Sequence, residues 1–244
     1  MIKSILKKRN DKKLLQYLES VPLNPPVQLN YRKVKSLVSF KKKPQLLQMS
    51  ELVAPDIFLD KLSKINTDYS GLGKATQKVG SEEFGRFLKK VVPYDNTKYV
   101  FHNILNDPIA CKLVSNLIPV PSFIKKSFHQ LRISRLYAGG KLSGARLHCH
   151  SEALNYLVSG KKLWIMLPFS EKNNHFVDQN GMRHAKMNEK NLTSLIDANS
   201  DSNHLIEGLH VFIQNTKEVV YVPSGCHHAV VNLENSFGIT YSWI

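Results

Sequence analysis

Pro223-Ser224-Gly225-Cys226-His227-His228-Ala229-Val230-Val231-Asn232 is the stretch on which the fold turns, and it has the form P-x-G-x-x-H-x-x-x-N. Proline and glycine favour a tight turn, and the run behind them reads as a strand. Such a turn delivers a histidine to the start of a strand, aimed into the interior, where a ring nitrogen is placed to take a metal. Adjacent strand residues face opposite sides, so His227 is expected to face away from the site that His228 serves.

Outward from that stretch, short apolar runs follow one another at residues 131–137, 145–150, 154–158, 163–167, 209–213, 219–222, 229–233 and 237–241. Eight short strands predict a double-sheet jelly roll over residues 130–244. The polar stretch 170–208, with a helix expected at 188–196, reads as an insertion at the barrel mouth. Before the barrel, Ser81-Glu82-Glu83 looks like the N-cap of a helix that carries Phe84, Phe87, Leu88 and Val91 on one face and ends before Pro93. A second helix is expected at 108–117, and the stretch 68–73, rich in Gly, Ser and Asp, reads as a loop. Residues 51–129 thus form a helical or mixed region packing on the barrel. Residues 1–50 form a basic N-terminal helix, stopped by Pro22, Pro25 and Pro26, and a linker. The fold class is mainly β with flanking helices (α+β), a double-stranded β-helix with a helical N-terminal region.

Composition bounds the setting. Of 244 residues 42% are apolar, enough to fill a core without covalent staples. Cys111, Cys149 and Cys226 are too few and too widely spaced for a disulfide framework or paired Cys-x-x-Cys turns, which points to an intracellular compartment, cytoplasm or nucleus. No apolar run is long enough to span a bilayer, and residues 1–16 lack the apolar block of a signal peptide. The formal charge is +15, and residues 1–50 hold twelve Lys or Arg against Asp11 and Glu19, which places +10 of it in the first fifth. Such a segment attracts nucleic acid, anionic lipid or an acidic protein, or is a solvated leader.

The second stretch with chemistry in it is His148-Cys149-His150-Ser151-Glu152. On a strand, alternate residues share a face, so His148, His150 and Glu152 project inward and Cys149 and Ser151 outward. Three candidate ligands therefore compete for two places beside His228.

Further motifs occur in order: Tyr99-Val100-Phe101, then Pro119 and Pro121, then Ser143-Gly144-Ala145-Arg146-Leu147-His148. Asn155 with Gly160-Lys161-Lys162-Leu163-Trp164 follows, and His228 runs through Asn232-Leu233 to Ile239-Thr240. From about Phe84 onward the chain resembles the JmjC branch of the cupin superfamily, Fe(II)- and 2-oxoglutarate-dependent oxygenases, especially its small protein hydroxylases. The resemblance implies an iron held by two histidines and a carboxylate, with positions left for 2-oxoglutarate and O2. It makes His148 and His228 metal ligands. It sets Lys162 against the distal carboxylate of 2-oxoglutarate, with Asn155 and Thr240 giving neutral hydrogen bonds nearby. His150 stands where the family has its carboxylate. Either the metal is held by His148, His150 and His228, or the motif slides by one pleat and His150-Ser151-Glu152 supplies the carboxylate from Glu152. A three-histidine site carries one more positive charge, which favours anionic chelators and admits zinc, copper or nickel.

What the resemblance implies is a dioxygenase that hydroxylates a protein or peptide side chain, or demethylates one through hydroxylation. A three-histidine cupin that does not use 2-oxoglutarate is the second reading. A catalytically silent JmjC-like module, binding nucleic acid or another partner through residues 1–50, is the third. The sequence ends directly after the last apolar run, so it is expected to lack the helical extension with which many members dimerise.

Overall fold

Alternation from residue 131 onward puts one apolar face on each run, and pairing those faces closes a barrel. The structure, a computed structural model, describes residues 2–26, 28–30, 43–49, 52–71, 78–118, 131–201 and 205–243. In chain order the elements are α1 (Ile2–Ser20), β1 (Gln28–Asn30), β2 (Gln45–Gln48), α2 (Pro55–Leu62), β3 (Asn66–Gly71), β4 (Lys78–Glu83), α3 (Phe84–Lys90) and β5 (Lys98–Asn103). A 3-10 turn (Ile104–Asn106), α4 (Pro108–Leu117), β6 (Leu131–Gly139), β7 (Gly144–His148), β8 (Ala153–Ser159) and β9 (Lys161–Leu167) follow. The insertion supplies α5 (Glu171–Gln179) and α6 (Glu189–Ser200), and β10 (His210–Asn215), β11 (Glu218–Val222), β12 (His227–Asn232) and β13 (Ser236–Trp243) complete the chain.

The last eight strands form the jelly roll. Four of them pair in the order β10-β9-β12-β7, and the other four lie as β11-β8-β13-β6 inside a larger sheet that continues through β2 to β1 on one side and through β5 and β3 to β4 on the other. Trp164, Met166, Phe212 and Val230 from the first sheet pack against Ala153, Val220 and Val222 from the second, which makes the barrel interior. Outside the larger sheet, α2, α3 and α4 bring Phe58, Phe84, Phe87 and Val114 against Tyr156, Ile239 and Tyr241. Phe58, Phe84 and Phe87 have no exposed surface, and each such burial stabilises by about 1.5–3 kcal/mol. On the opposite flank, Leu18 of α1 and Leu192 and Leu195 of α6 cover the other sheet.

Local signals set several boundaries. Asp107 accepts from Ile109 N and Ala110 N with Pro108 at the first helical position, which starts α4 at the predicted residue. Asn188 caps α6 in the same way through Asn191 N. Two readings differ from the structure. Ser81, Glu82 and Glu83 belong to β4, and no side chain caps α3; Ser81 Oγ donates to Asp68 Oδ1 instead. The expected loop at 68–73 is, as far as residue 71, strand β3, because β4 and β5 pair with it on both sides. Pro119 and Pro121 lie outside the described residues, as do five of the twelve lysines and arginines of the basic segment. Among the described residues, no helix is long and apolar enough to cross a membrane.

Candidate metal centre

The register of β12 on β7 sets His228 directly opposite His148, at the end of the barrel where both strands meet the P-x-G turn. Gly144 makes that register possible. Its φ is +151°, and a Cβ there would stand 2.0 Å from the Val230 carbonyl oxygen, so any other residue forces β7 off β12. β7 stops at His148, and residues 149–151 have left the strand. His150 is therefore not brought inward by strand alternation. The departing chain is tied to the turn instead, through Gly225 N donating to the His150 carbonyl at 2.9 Å. Gly225 occupies the left-handed region at φ +73°, and a Cβ there would meet the Phe169 ring at 2.9 Å.

The result is a triad. One ligand atom from each of His148, His150 and His228 lies within 4.8 Å of the others. The ring centroids are 4.2 Å apart for His148 and His228, 4.6 Å for His150 and His228, and 5.3 Å for His148 and His150. Nδ1 of each ring is bonded to a backbone carbonyl: His148 to Arg146 at 2.7 Å, His150 to Ser151 at 2.5 Å and His228 to Cys226 at 3.0 Å. A carbonyl only accepts, so each Nδ1 carries the proton and each Nε2 keeps its lone pair, the tautomer a metal requires. Burial pushes the His148 pKa down to about 4 and lowers those of His150 and His228. All three rings are thus neutral at pH 7, and the donor set fits a divalent transition metal. Trp164 stacks on His228 with centroids 6.0 Å apart and holds its own Nε1–H on Gln214 Oε1.

Glu152 is elsewhere. Its carboxylate accepts from Tyr221 OH at 3.0 Å and Trp243 Nε1 at 2.8 Å, and its backbone carbonyl accepts from Ser242 Oγ. The side chain spans β11 and β13 and is absent from the triad.

Deeper in the barrel, Lys162 is opposite Asn232 on β12, four residues along from the His228 level. It is 1% exposed, and burial drives its pKa well below the usual lysine range. The ammonium sits 3.5 Å above the Tyr137 ring. Among the described residues no carboxylate lies within 4 Å of it. Tyr137 OH donates to Asn155 Oδ1 at 2.9 Å, and Asn155 Nδ2 donates to Thr240 Oγ1 at 2.7 Å. Lys162, Asn155 and Thr240 are thus brought to one end of the interior around Tyr137, a residue that the sequence reading had placed only on a strand. Arg135 lies two residues before Tyr137 on the same face of β6.

The remaining candidates fall away from the triad. His227 is bonded through Nε2 to Asn174 Oδ1 of α5, and Cys226 is buried with its thiol on the Leu167 carbonyl. Cys149 faces Arg183 at 3.9 Å, and His184 serves through its backbone, which pairs with Leu147.

A jelly roll with three neutral imidazoles converging at one end defines a cupin-like barrel with a site fit for a metal. Comparison with known proteins adds to that description: residues 135–243 match the family described as JmjC domain, hydroxylase. Over 115 residues the chain is 32% identical to an arginine-specific demethylase of Arabidopsis thaliana. That match takes in 45% of this chain and 23% of the relative, so the chain spans about a quarter of the length of the curated protein it matches.

Proposed function

We propose that the chain is an Fe(II)- and 2-oxoglutarate-dependent dioxygenase that hydroxylates a protein or peptide side chain, or removes an N-methyl group by hydroxylating it. The observation that carries this reading is the pairing of two features in one barrel. Three Nε2 lone pairs meet at the mouth, and a buried ammonium without an acidic partner waits below them. A carboxylate entering beside Lys162 relieves the cost of that burial and restores its charge. Asn155 and Thr240, already ordered by Tyr137, bound the same end of the chamber. Val220, Val222 and Phe212 exclude water from it. Three neutral ligands leave the full charge of the metal uncompensated, which strengthens its hold on an anionic chelator. When bound, iron with 2-oxoglutarate and O2 supplies the oxidation, in which the keto acid loses CO2 to become succinate and one oxygen atom goes to the substrate C–H.

The test is succinate release by the purified chain given Fe(II), 2-oxoglutarate and O2. Release that His228→Ala abolishes supports the reading; lack of 2-oxoglutarate binding at millimolar concentration overturns it.

The histidine in place of a carboxylate favours a second reading, a three-histidine cupin that activates its substrate without 2-oxoglutarate. Lys162→Ala separates the two, because only the first makes this lysine necessary for turnover.

The ligand set itself is open to a direct check. Glu152→Ala is expected to leave metal affinity unchanged, measured by titration with Fe(II) or Zn(II). It should cost about 1–3 kcal/mol in stability, because Tyr221 and Trp243 lose their buried acceptor. A large fall in metal affinity would instead make Glu152 the third ligand.

A further inference from the structure

Arg135 faces this site and is used by neither the triad nor the lysine end. It lies on β6 directly across from Thr240 on β13, which in turn lies across from Asn155 on β8. The three residues form one row on the inner face of the sheet. The guanidinium carbon stands 4.3 Å from the centroid of the Phe101 ring, so the head group is held by stacking, and among the described residues its edge donors have no side-chain partner. It is only partly exposed, and among the described residues no carboxylate lies within 4 Å of it. Asn155, at the far end of that row, is two residues from Ala153, where β8 begins just after the loop that carries His150, which sets the row on the triad's side of the barrel.

The residues facing this space are alike in sign. Arg135 is cationic, Lys162 takes up its proton beside an anion, the three histidines are neutral, and a metal adds positive charge. Glu152, the acid nearest the triad in sequence, has turned its carboxylate to Tyr221 and Trp243. A cationic side chain entering such a space meets repulsion from Arg135 and, among the described residues, no free carboxylate within 4 Å of it. A carboxylate finds a planar, pre-positioned fork.

We propose that Arg135 is a specificity-determining residue that binds a carboxylate of the substrate, so that the site takes an acidic peptide in preference to one presenting a methylated, positively charged side chain. This rests on the oxygenase reading for what happens next, but not for the binding itself. Within that reading it selects hydroxylation beside an Asp or Glu side chain over demethylation of a cationic one.

The experiment compares three fluorescent peptides of equal length by anisotropy on the full chain loaded with Zn(II). One carries Asp and Glu at its centre, the second carries Asn and Gln there, and the third dimethylarginine. The acidic peptide is expected to bind most tightly. Arg135→Met, which keeps the stem over Phe101, is expected to weaken that peptide by roughly 10–100-fold, the span of a charge-assisted pair, and to leave the neutral one unchanged. Arg135→Lys should recover part of the loss. Equal binding of all three peptides, preference for the dimethylarginine peptide, or an acidic preference that survives in Arg135→Met would overturn the proposal. So would a rise in the 2-oxoglutarate requirement of Arg135→Met with peptide binding intact, since the guanidinium would then belong to the cosubstrate. Failure to release succinate with the peptide preference present would sink the oxygenase reading and leave this one standing.

Discussion

His228→Ala is expected to lower Fe(II) affinity by at least about 100-fold and to remove succinate release, since losing even the hydrogen-bond partner of a ligand costs about 10–100-fold. His228 is the central member of the triad: it is 3% exposed, its ring is the nearest neighbour of both other rings, and Trp164 stacks on it. Neither Glu152, which is bonded elsewhere, nor His227, which faces α5, offers a replacement lone pair. His227→Ala is the matched control. It deletes an imidazole one residue away, and metal affinity by titration is expected to stay within a factor of a few. Equal losses in both variants would mean that damage to the strand, not loss of a ligand, is being read.

The second large effect belongs to Lys162→Met. With the metal still bound, the variant is expected to need roughly 10–150-fold more 2-oxoglutarate for half-maximal succinate release, because a hydrogen bond to a charged group contributes about 1.5–3 kcal/mol. Its stability should move the other way. Burial lowers the Lys162 pKa in the folded chain, so the unfolded chain binds more protons and the wild type gains stability as pH rises. That gain accumulates from the depressed folded value up to the ordinary lysine value. Methionine fills the same space without a proton to lose. Thermal denaturation across this range should therefore show a slope in the wild type that Lys162→Met removes, with the variant the more stable at neutral pH. A wild type whose stability is flat with pH would mean that the ammonium is solvated, and the anchor role would fail with it.

Much of the barrel is legible in the linear chain because its signals are local. Turn residues bound each of the eight strands, and period-two alternation names the inward residues without knowledge of the partner strand. The P-x-G turn in front of His228 and the small residues in front of His148 work over fewer than ten positions, and so do the caps Asp107 and Asn188. Ser81 shows the limit of such signals. Its cap chemistry is sound, but its hydroxyl has Asp68 within reach across a hairpin that the local sequence does not announce.

The competition between His150 and Glu152 is another matter, since both follow the alternation rule and the rule ends at His148. Beyond that residue, direction is set by contacts from far along the chain. Gly225 N holds the His150 carbonyl, and the donors that claim Glu152 come from Tyr221 and Trp243, 69 and 91 residues later. Arg135 and Tyr137 were hidden for a related reason. Alternation tells that they share a face, and only the pairing of β6 with β13, and of β13 with β8, makes that face part of the barrel wall. A strand pattern carries the identity of a face; which groups that face meets depends on long-range pairing, and with it the third ligand and the sign of the charge that greets a substrate.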